Sequence, residues 1–193
     1  MTANRIKEAA FFHFAKHGYA GTSLATIAAD VGIKKPSIYA HFKGKEELYF
    51  TCLEEALHRE QLFLQEHVKK NEGHPTKDGL YSLLITYGER MMAKEEVRFW
   101  LMAFYFPPDA FREEITEKAN EYIYTFGEAI KPLVEEAVLR GEIHQDVEID
   151  DVVEAYLCLF DGLIIELTYG GYEKFQRRLQ AAWSIFWRGV ARI

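Results

Sequence analysis

The sequence predicts an all-α protein in which an N-terminal three-helix domain containing a helix-turn-helix precedes a larger helical domain. Apolar residues recur at helical spacing along almost the whole chain. No segment alternates apolar and polar residues for more than a few positions, and no Gly/Asn turn separates two β-branched runs. Helices are therefore expected throughout.

Two helices are expected within the first 32 residues. The first carries apolar residues on one face at spacings of three and four, namely Ile6, Ala9, Ala10, Phe14 and Ala15. Gly18 ends this helix. Either Thr22 or Ser23 can cap the second helix, which Gly32 stops.

The remaining helices follow from apolar spacing and from Gly and Pro breaks. Pro36 opens a short third helix, since proline is favoured in a first helical turn. A long helix is expected from Lys45 to about Lys70. Further helices are expected near 77–92, 94–105, 109–127, 128–140, 150–168 and 172–191. The breaks between these last helices fall at Pro107-Pro108, Gly127 with Pro132, Gly141 and Gly170-Gly171.

Composition excludes several classes of protein. Hydrophobic residues make up 49% and charged residues 27% of the 193 residues, which allows a packed core and excludes a disordered chain. Cys52 and Cys158 lie far apart, so neither a disulfide framework nor a four-cysteine zinc site is expected. There is no apolar signal segment, and the longest apolar stretch, 99–108, is about half the ~20 residues that a bilayer requires. The sequence predicts a soluble cytoplasmic chain.

The net charge of −7 hides an asymmetry along the chain. Residues 1–50 carry seven Lys/Arg and four Asp/Glu, which gives +3, so residues 51–193 carry −10. A basic module for an anionic partner, joined to an acidic body, accounts for this distribution. A solvated surface of no special function accounts for it equally well.

Residues 22–42 have the pattern of a helix-turn-helix, in which two short helices flank a tight Gly-containing turn. The residues that pack the two helices together are Ile27, Ala28, Val31, Ile33 and Ile38. Polar and small residues are left on the exposed side of the second helix, which can enter a DNA major groove. The same unit also packs in all-α proteins that never bind DNA, so spacing alone leaves both functions open.

Around the helix-turn-helix, a set of residues follows a recognisable order over about thirty positions. The set is Gly18-Tyr19, Thr22-Ser23, Ile27-Ala28, Gly32-Ile33, Ile38-Tyr39, His41-Phe42-Lys43 and Lys45-Glu46-Glu47-Leu48. This run resembles the signature of the tetracycline-repressor (TetR) family. The resemblance implies a DNA-binding domain at 1–50 and a ligand-binding and dimerisation domain at 51–193. It also implies a homodimeric transcriptional regulator, usually a repressor, that binds a palindromic operator and is released by a small hydrophobic or aromatic effector.

The resemblance assigns DNA contacts position by position, on or before the second helix of the motif: Lys34, Lys35, Ser37, Tyr39, Ala40 and His41. Thr22 or Ser23 would cap the preceding helix beside a phosphate, and Lys45 would hold a phosphate at the start of the fourth helix. Lys34, Pro36, Ala40 and Gly44 depart from the residues frequent in the family. Ala40 can offer only a methyl contact, for example to thymine. Tyr39 and Phe42 could instead be core aromatics, an interpretation that suits Phe42 better.

The resemblance also places an effector cavity among the middle helices, where aromatic residues cluster. The residues expected to line it are Phe63, Trp100, Phe104, Tyr122, Phe126, Tyr156 and Phe160. The same residues could form an ordinary core. A lipophilic cation and a neutral or fatty effector are equally compatible with this composition. Asp161 and Glu166 could face the cavity, although a surface or capping role fits them better.

The last two predicted helices are unusually apolar, and their apolar faces could be buried internally or in a homodimer. The resemblance assigns them to a homodimer interface. In this interpretation the helix from Lys45 to about Lys70 connects the domains. An effector that displaced this helix near Phe63 and His67 would change the spacing of the two DNA-binding units.

Two other functions were weighed. No GxSxG, Walker, GxGxxG or HExxH motif occurs, so an enzyme is not expected. His13 and His17 have a spacing that can bind metal but lack a third ligand, so neither a metal nor a cofactor is predicted. An architectural DNA-binding protein without an effector remains the alternative. A filled aromatic core would favour the architectural protein, and an aromatic-lined cavity would favour the regulator.

Overall fold

In the computed structural model, which describes residues 2–192, the regular secondary structure is helical. The α-helices of this range are α1 (Thr2–Gly21), α2 (Leu24–Val31), α3 (Lys35–Ile38), α4 (Lys45–Asn71), α5 (Thr76–Ala93), α6 (Glu95–Tyr105), α7 (Arg112–Leu139) and α8 (Ile149–Val190). A 3-10 turn, Asp109–Phe111, precedes α7. Within the same range no β-strand forms, and a single antiparallel bridge joins Ile143 to Ala191. The predicted all-α fold is confirmed.

Glycines interrupt two long helices where the sequence predicts breaks. Gly18 (φ 67°, ψ 179°) interrupts α1, and Gly171 (φ 75°, ψ 176°) interrupts α8. The positive φ at Gly171 is one that residues with a Cβ rarely adopt, so the break depends on glycine. Consequently α8 consists of two segments, 149–170 and 172–190, which correspond to the two separate helices expected there.

The break predicted around Gly127 and Pro132 is wrong, because α7 is continuous through both residues. Pro132 is exposed, so the carbonyl that loses its intrahelical donor can be hydrated. Gly127 is a packing position: a Cβ there would lie 3.3 Å from Val153 Cγ1 and 3.4 Å from Leu157 Cδ1. The missing side chain lets α7 approach α8 closely.

The described residues form two compact units. The first comprises residues 2–61 with Met91–Ala119, and the second comprises Leu62–Arg90 with residues 120–192. The predicted domains, 1–50 and 51–193, divide the chain at a different point, because α6 packs against α1 and thereby joins the first unit.

Phe99 of α6 lies at the centre of the first unit's aromatic core. Its ring centroid is 5.8 Å from those of Phe11 and Phe14 on α1 and 5.1 Å from that of Tyr49 on α4. Such aromatic pairs contribute about 0.5–1.5 kcal/mol each beyond the burial of their surface. Because α1 also packs against α2, and α2 against α3, this core supports the helix-turn-helix.

The second unit is built from α5, α7 and α8. Buried residues recur at helical spacing on α7 and α8, among them Ile130, Val134, Ala137, Val152, Tyr156, Phe160 and Ile164. On α5, a Cβ at Gly88 would lie only 2.6 Å from Phe175 Cε1, so α5 and the second segment of α8 pack closely at this glycine. Among residues 2–192, none of the helices combines the length and apolarity that crossing a bilayer requires.

Candidate nucleic-acid interface and effector site

Helix α2 is capped at both ends by residues of the motif. At its start, the Thr26 N–H donates a 3.1 Å hydrogen bond to Ser23 Oγ. At its end, Gly32 adopts the left-handed conformation (φ 76°), and the next N–H, of Ile33, donates to the Ala28 carbonyl at 2.9 Å. These caps fix the tight turn that leads into α3.

The residues around α3 are arranged about one buried anchor, Ile38. The six residues predicted to contact DNA in this segment are all exposed: Lys34, Lys35, Ser37, Tyr39, Ala40 and His41. Tyr39 is 52% exposed, which excludes its interpretation as a core aromatic, whereas Phe42 is buried as expected. The segment therefore presents to solvent two ammonium groups, two hydroxyls, an imidazole and a methyl group.

Thr22 is a core residue. It is only 3% exposed, and its hydroxyl donates to the carbonyls of His13 and Gly18, at 2.9 and 2.8 Å. The structure thus gives the capping role to Ser23. The Thr22 hydroxyl is instead used inside the protein, where it closes the turn between α1 and α2, and its predicted position beside a phosphate stays a prediction.

Lys45 is bonded to the protein's own backbone. Its Nζ donates to the carbonyls of Tyr19, at 2.8 Å, and Thr22, at 3.0 Å, and lies 4.1 Å from the centroid of the Tyr19 ring. These three contacts, which we call the Lys45 brace, tie the end of α1 and the turn before α2 to the start of α4. The predicted phosphate contact would have to use the remaining N–H of the ammonium group.

The two histidines spaced by four residues on α1 lie side by side. The ring centroids of His13 and His17 are 6.0 Å apart, and His13 Nε2 is 3.4 Å from Asp30 Oδ2. No group of three or more His, Cys, Asp or Glu side chains suited to a metal ion occurs within residues 2–192. His13 is buried and connects α1 to the end of α2.

Five of the predicted effector-contact residues lie in the second unit: Phe63, Tyr122, Phe126, Tyr156 and Phe160. They assemble with Tyr87 of α5, a residue that the sequence analysis missed. The Tyr87 ring centroid is 5.3 Å from that of Phe63, 5.6 Å from that of Phe126 and 4.9 Å from that of Phe160. The Phe126 ring in turn lies 6.3 Å from the rings of Tyr122 and Tyr156. We call these six residues the Tyr87 cluster.

The Tyr87 cluster is packed ring against ring. All its members except Phe63 are buried. Because its hydroxyl groups are also buried, each needs a partner: Tyr87 Oη lies 2.8 Å from Tyr122 Oη, and Tyr156 Oη donates to the Leu80 carbonyl at 2.8 Å. Burial raises the pKa of Tyr156 well above its usual value. The cluster is therefore the filled aromatic core that was expected of an architectural protein, and an effector at this place would require the rings to move apart.

Two cationic or titratable groups border the Tyr87 cluster. The guanidinium carbon of Arg90 lies 3.8 Å from the centroid of the Phe63 ring, within cation–π distance. His67 Nε2 is 3.1 Å from the Gly79 carbonyl and 3.3 Å from Ser82 Oγ. Burial lowers the pKa of His67, so its neutral form is favoured. These groups could recognise the polar end of a mostly apolar molecule.

The other two predicted effector-contact residues, Trp100 and Phe104, lie in α6 and belong to the first unit. Their rings contact each other edge to face, with centroids 5.4 Å apart. Their neighbourhood in the sequence to other aromatics suggested a single site. Instead, the two residues belong to a different unit from the other five, and Trp100 is buried whereas Phe104 is half-buried.

Most apolar residues of the two helices predicted for dimerisation are buried within the second unit. The predicted residues that are buried there include Val152, Val153, Tyr156, Phe160, Leu163, Ile164, Leu179, Trp183, Trp187 and Val190. Other residues of α8 remain exposed, among them Ala155, Cys158, Gly162, Tyr169 and Ile185. The apolar spacing identified the inner face of each segment, because a periodic pattern cannot distinguish burial inside a chain from burial between chains.

Ion pairs of Glu166 connect the two segments of α8 across the break at Gly171. Its carboxylate pairs with Lys174 Nζ at 2.9 Å and also with Arg178, both beyond Gly171. The hydrogen bond from Lys174 holds the pKa of Glu166 below its usual value, with a further contribution from the Arg178 charge and an opposing one from desolvation. Glu166 is therefore a buried residue that joins the two segments of α8, which differs from the surface or capping role expected from the sequence.

Comparison with known proteins identifies the motif. The family described as "Bacterial regulatory proteins, tetR family" matches residues 6–52. The negative transcriptional regulator IcaR of Staphylococcus epidermidis is 32% identical over 84 residues, which is 44% of each chain. The transcriptional repressor AcnR of Corynebacterium diphtheriae is 28% identical over 182 residues, covering 89% of this chain and 83% of AcnR. Residues 6–52 thus match the model of the TetR family, and most of the chain is similar to a transcriptional repressor.

Solved structures extend the likeness to the whole fold. A TetR transcriptional regulator from Chloroflexus aurantiacus has a TM-score of 0.77 at 22% identity and covers all of this chain and 97% of its own. A γ-butyrolactone receptor has a TM-score of 0.71 at 25% identity, covering 100% of this chain and 89% of the receptor. The Bacillus subtilis regulator FadR in complex with stearoyl-CoA has a TM-score of 0.74 at 17% identity, covering 96% of this chain and 98% of FadR.

The family model ends at residue 52, so it includes α1, α2, α3 and the start of α4. These are the elements that hold the exposed segment around Ile38. The relatives IcaR and AcnR are named as HTH-type transcriptional regulators. Tyr87, which the sequence analysis missed, lies between Thr86 and Gly88, outside the aromatic clusters of the sequence. Its helical register with Leu80, Leu83 and Leu84 is the signal that could have found it.

Proposed function

We propose that the chain is a ligand-responsive repressor that binds a palindromic operator as a homodimer and is released by a small hydrophobic or aromatic effector. The observation that carries the proposal is the exposed segment around α3. It presents six polar or small side chains around the buried Ile38, within fifty residues whose charge is +3. An acidic protein with a locally basic, rigidly capped helix-turn-helix suits contact with DNA at this surface and not elsewhere.

Within this segment the residues have different roles toward DNA. Lys34, the N-cap of α3, and Lys35, its first residue, bind phosphates and supply affinity that depends on salt. Ser37, Tyr39 and His41 reach base edges or phosphates through their donor groups. Ala40 contributes a methyl contact, and Ser23 donates its hydroxyl to a phosphate beside the start of α2.

We assign the effector to the Tyr87 cluster. The aromatic walls suit an apolar body, while the Tyr87–Tyr122 hydroxyl pair and His67 suit a polar group at one end. One structurally similar protein is named as a γ-butyrolactone receptor, and another was solved in complex with stearoyl-CoA, whose acyl chain is apolar and whose CoA group is polar. Because the cluster is packed, the effector selects a conformation in which the rings have separated.

Helix α4 connects effector and DNA binding. It runs without interruption from Lys45, in the brace, to Asn71, and it carries Phe63 and His67 near its end. Separation of the rings displaces Phe63 and so moves the end of α4. In a homodimer joined through exposed residues of α8, this changes the separation of the two α3 segments, which must match half-sites roughly 34–36 Å apart.

The test is selection of the purified protein on random duplex DNA at near-physiological salt, followed by sequencing of the bound pool. An enriched inverted repeat is the expected result. Ser37→Ala should alter the preferred bases, while Lys77→Ala, which changes an exposed lysine of the second unit, should leave the sequence unchanged. Binding without sequence enrichment, lost steeply as salt rises, would establish the architectural alternative instead.

The effector assignment is tested with the selected operator. Fluorescence anisotropy of the operator complex is followed during titration with palmitate and, separately, with a γ-butyrolactone. Release of DNA by either probe, abolished in Tyr87→Leu, is expected. Release that persists in Tyr87→Leu would move the effector site away from the cluster.

A further inference from the structure

A groove of about 180 Å³ lies in the first unit, beside its aromatic core. The rings of Phe14, Tyr19, Tyr49 and Phe99 form its walls, and Phe106 stands at its rim. Phe106 is 47% exposed, so a large apolar side chain is in contact with solvent at the mouth of the groove. None of these residues belongs to the Tyr87 cluster or to the exposed segment around α3.

The walls of the groove define the chemistry of a ligand. The Phe14 and Tyr49 rings meet edge to face at 5.0 Å, and so do Tyr49 and Phe99 at 5.1 Å, so ring edges and faces are both present in the wall. This arrangement favours another aromatic ring, which can stack on a face or meet an edge. The volume suits a molecule of one or two rings, since an apolar cavity of about 150 Å³ is sufficient to hold benzene.

We propose that this groove is a second ligand site, specific for a neutral aromatic molecule of one or two rings, and that its occupancy weakens DNA binding through Tyr19 and the Lys45 brace. The effect on DNA rests on the proposed function, whereas the binding site does not.

Tyr19 connects the groove to the brace. Its ring lines the groove, and the ring centroid lies 4.1 Å from Lys45 Nζ. Its carbonyl accepts a 2.8 Å hydrogen bond from the same ammonium group. The second carbonyl held by Lys45 is that of Thr22, directly before the Ser23 cap of α2. A ligand that shifts the Tyr19 ring therefore loosens the contact that positions the start of the helix-turn-helix.

Binding is measured first, without DNA, by isothermal titration of the full-length protein with indole. Ala15 lines the groove, and Ala15→Leu fills it with a side chain that suits a helix. We expect saturable binding of indole that Ala15→Leu weakens about tenfold or more. The matched control is Ala93→Leu, an exposed position at the end of α5, which should leave the affinity unchanged.

Two further measurements keep the test decisive. Phe106→Ala removes a ring from an exposed rim position and should also weaken indole binding, so the result does not depend on Ala15→Leu folding normally. Cyclohexanol, which is apolar but lacks a π-system, should bind much more weakly than indole. Equal binding of cyclohexanol would overturn the aromatic specificity, and indole affinity unchanged in both groove variants would overturn the site.

The effect on DNA is measured separately, as duplex affinity at saturating indole. A loss of affinity in the wild-type protein that disappears in Lys45→Met is expected. Indole that binds in the groove without changing duplex affinity would overturn the coupling through the brace. If the protein binds no duplex at all, the proposed function fails while the calorimetry still decides the site.

Discussion

Replacement of Lys45 by alanine separates two roles of this residue, a phosphate contact and a brace. Lys45→Ala removes two hydrogen bonds from an ammonium group to backbone carbonyls and one cation–π contact. Hydrogen bonds of charged groups contribute about 1.5–3 kcal/mol each, and an exposed cation–π contact about 0.5–1 kcal/mol. Because Lys45 is half-buried, solvent reduces these values. We expect the free energy of unfolding to fall by about 1–3 kcal/mol.

The assays are urea unfolding followed by circular dichroism, and duplex binding over a series of salt concentrations. A lost phosphate contact lowers the slope of log K against log salt by about 1, whereas a lost brace lowers affinity with little change in the slope. Lys35→Ala is the matched control, since this exposed lysine should change the slope and not the stability. Normal stability of Lys45→Ala together with a slope reduced by about 1 would refute the brace.

Three further predictions concern the second unit. Gly88→Ala should lower the free energy of unfolding by about 1–3 kcal/mol in a urea titration, because its Cβ would overlap the Phe175 ring of α8. Gly162→Ala should be neutral or stabilising in the same titration, because its Cβ would have no neighbouring atom within 4 Å. Tyr156→Phe removes the hydroxyl that donates to the Leu80 carbonyl, which keeps its donor within α5, and should cost about 0.5–1.5 kcal/mol by the same measurement, with equal stability contradicting the bond. Since the folded pKa of Glu166 is depressed, its contribution is present above the usual value of 4.5 and is lost as pH falls through the folded pKa, so Glu166→Gln should flatten the fall of Tm below pH 4.5.

The helix-turn-helix shows how far local sequence determines structure. The caps of α2 depend on residues within a few positions of one another, so Ser23 and Gly32 are visible in the sequence. The same holds for the breaks at Gly18 and Gly171, where backbone conformation depends on the residue itself. The sequence allowed either Thr22 or Ser23 to cap α2. Only the carbonyls of α1 that accept from the Thr22 hydroxyl decided between them.

The sequence by itself determined the all-α fold, most helix ends and the exposed segment around α3, because periodicity, caps and glycine conformations are local properties. Tertiary structure decided which partners long side chains and apolar faces find. It turned Lys45 toward two backbone carbonyls and gathered Tyr87 into an aromatic cluster. It also buried inside one unit an apolar face of α8 for which the sequence allowed burial within the chain or between chains. Each of these outcomes depends on contacts between residues distant in the chain. A periodic pattern predicts that a helix face is buried, but it does not identify the residues that bury it.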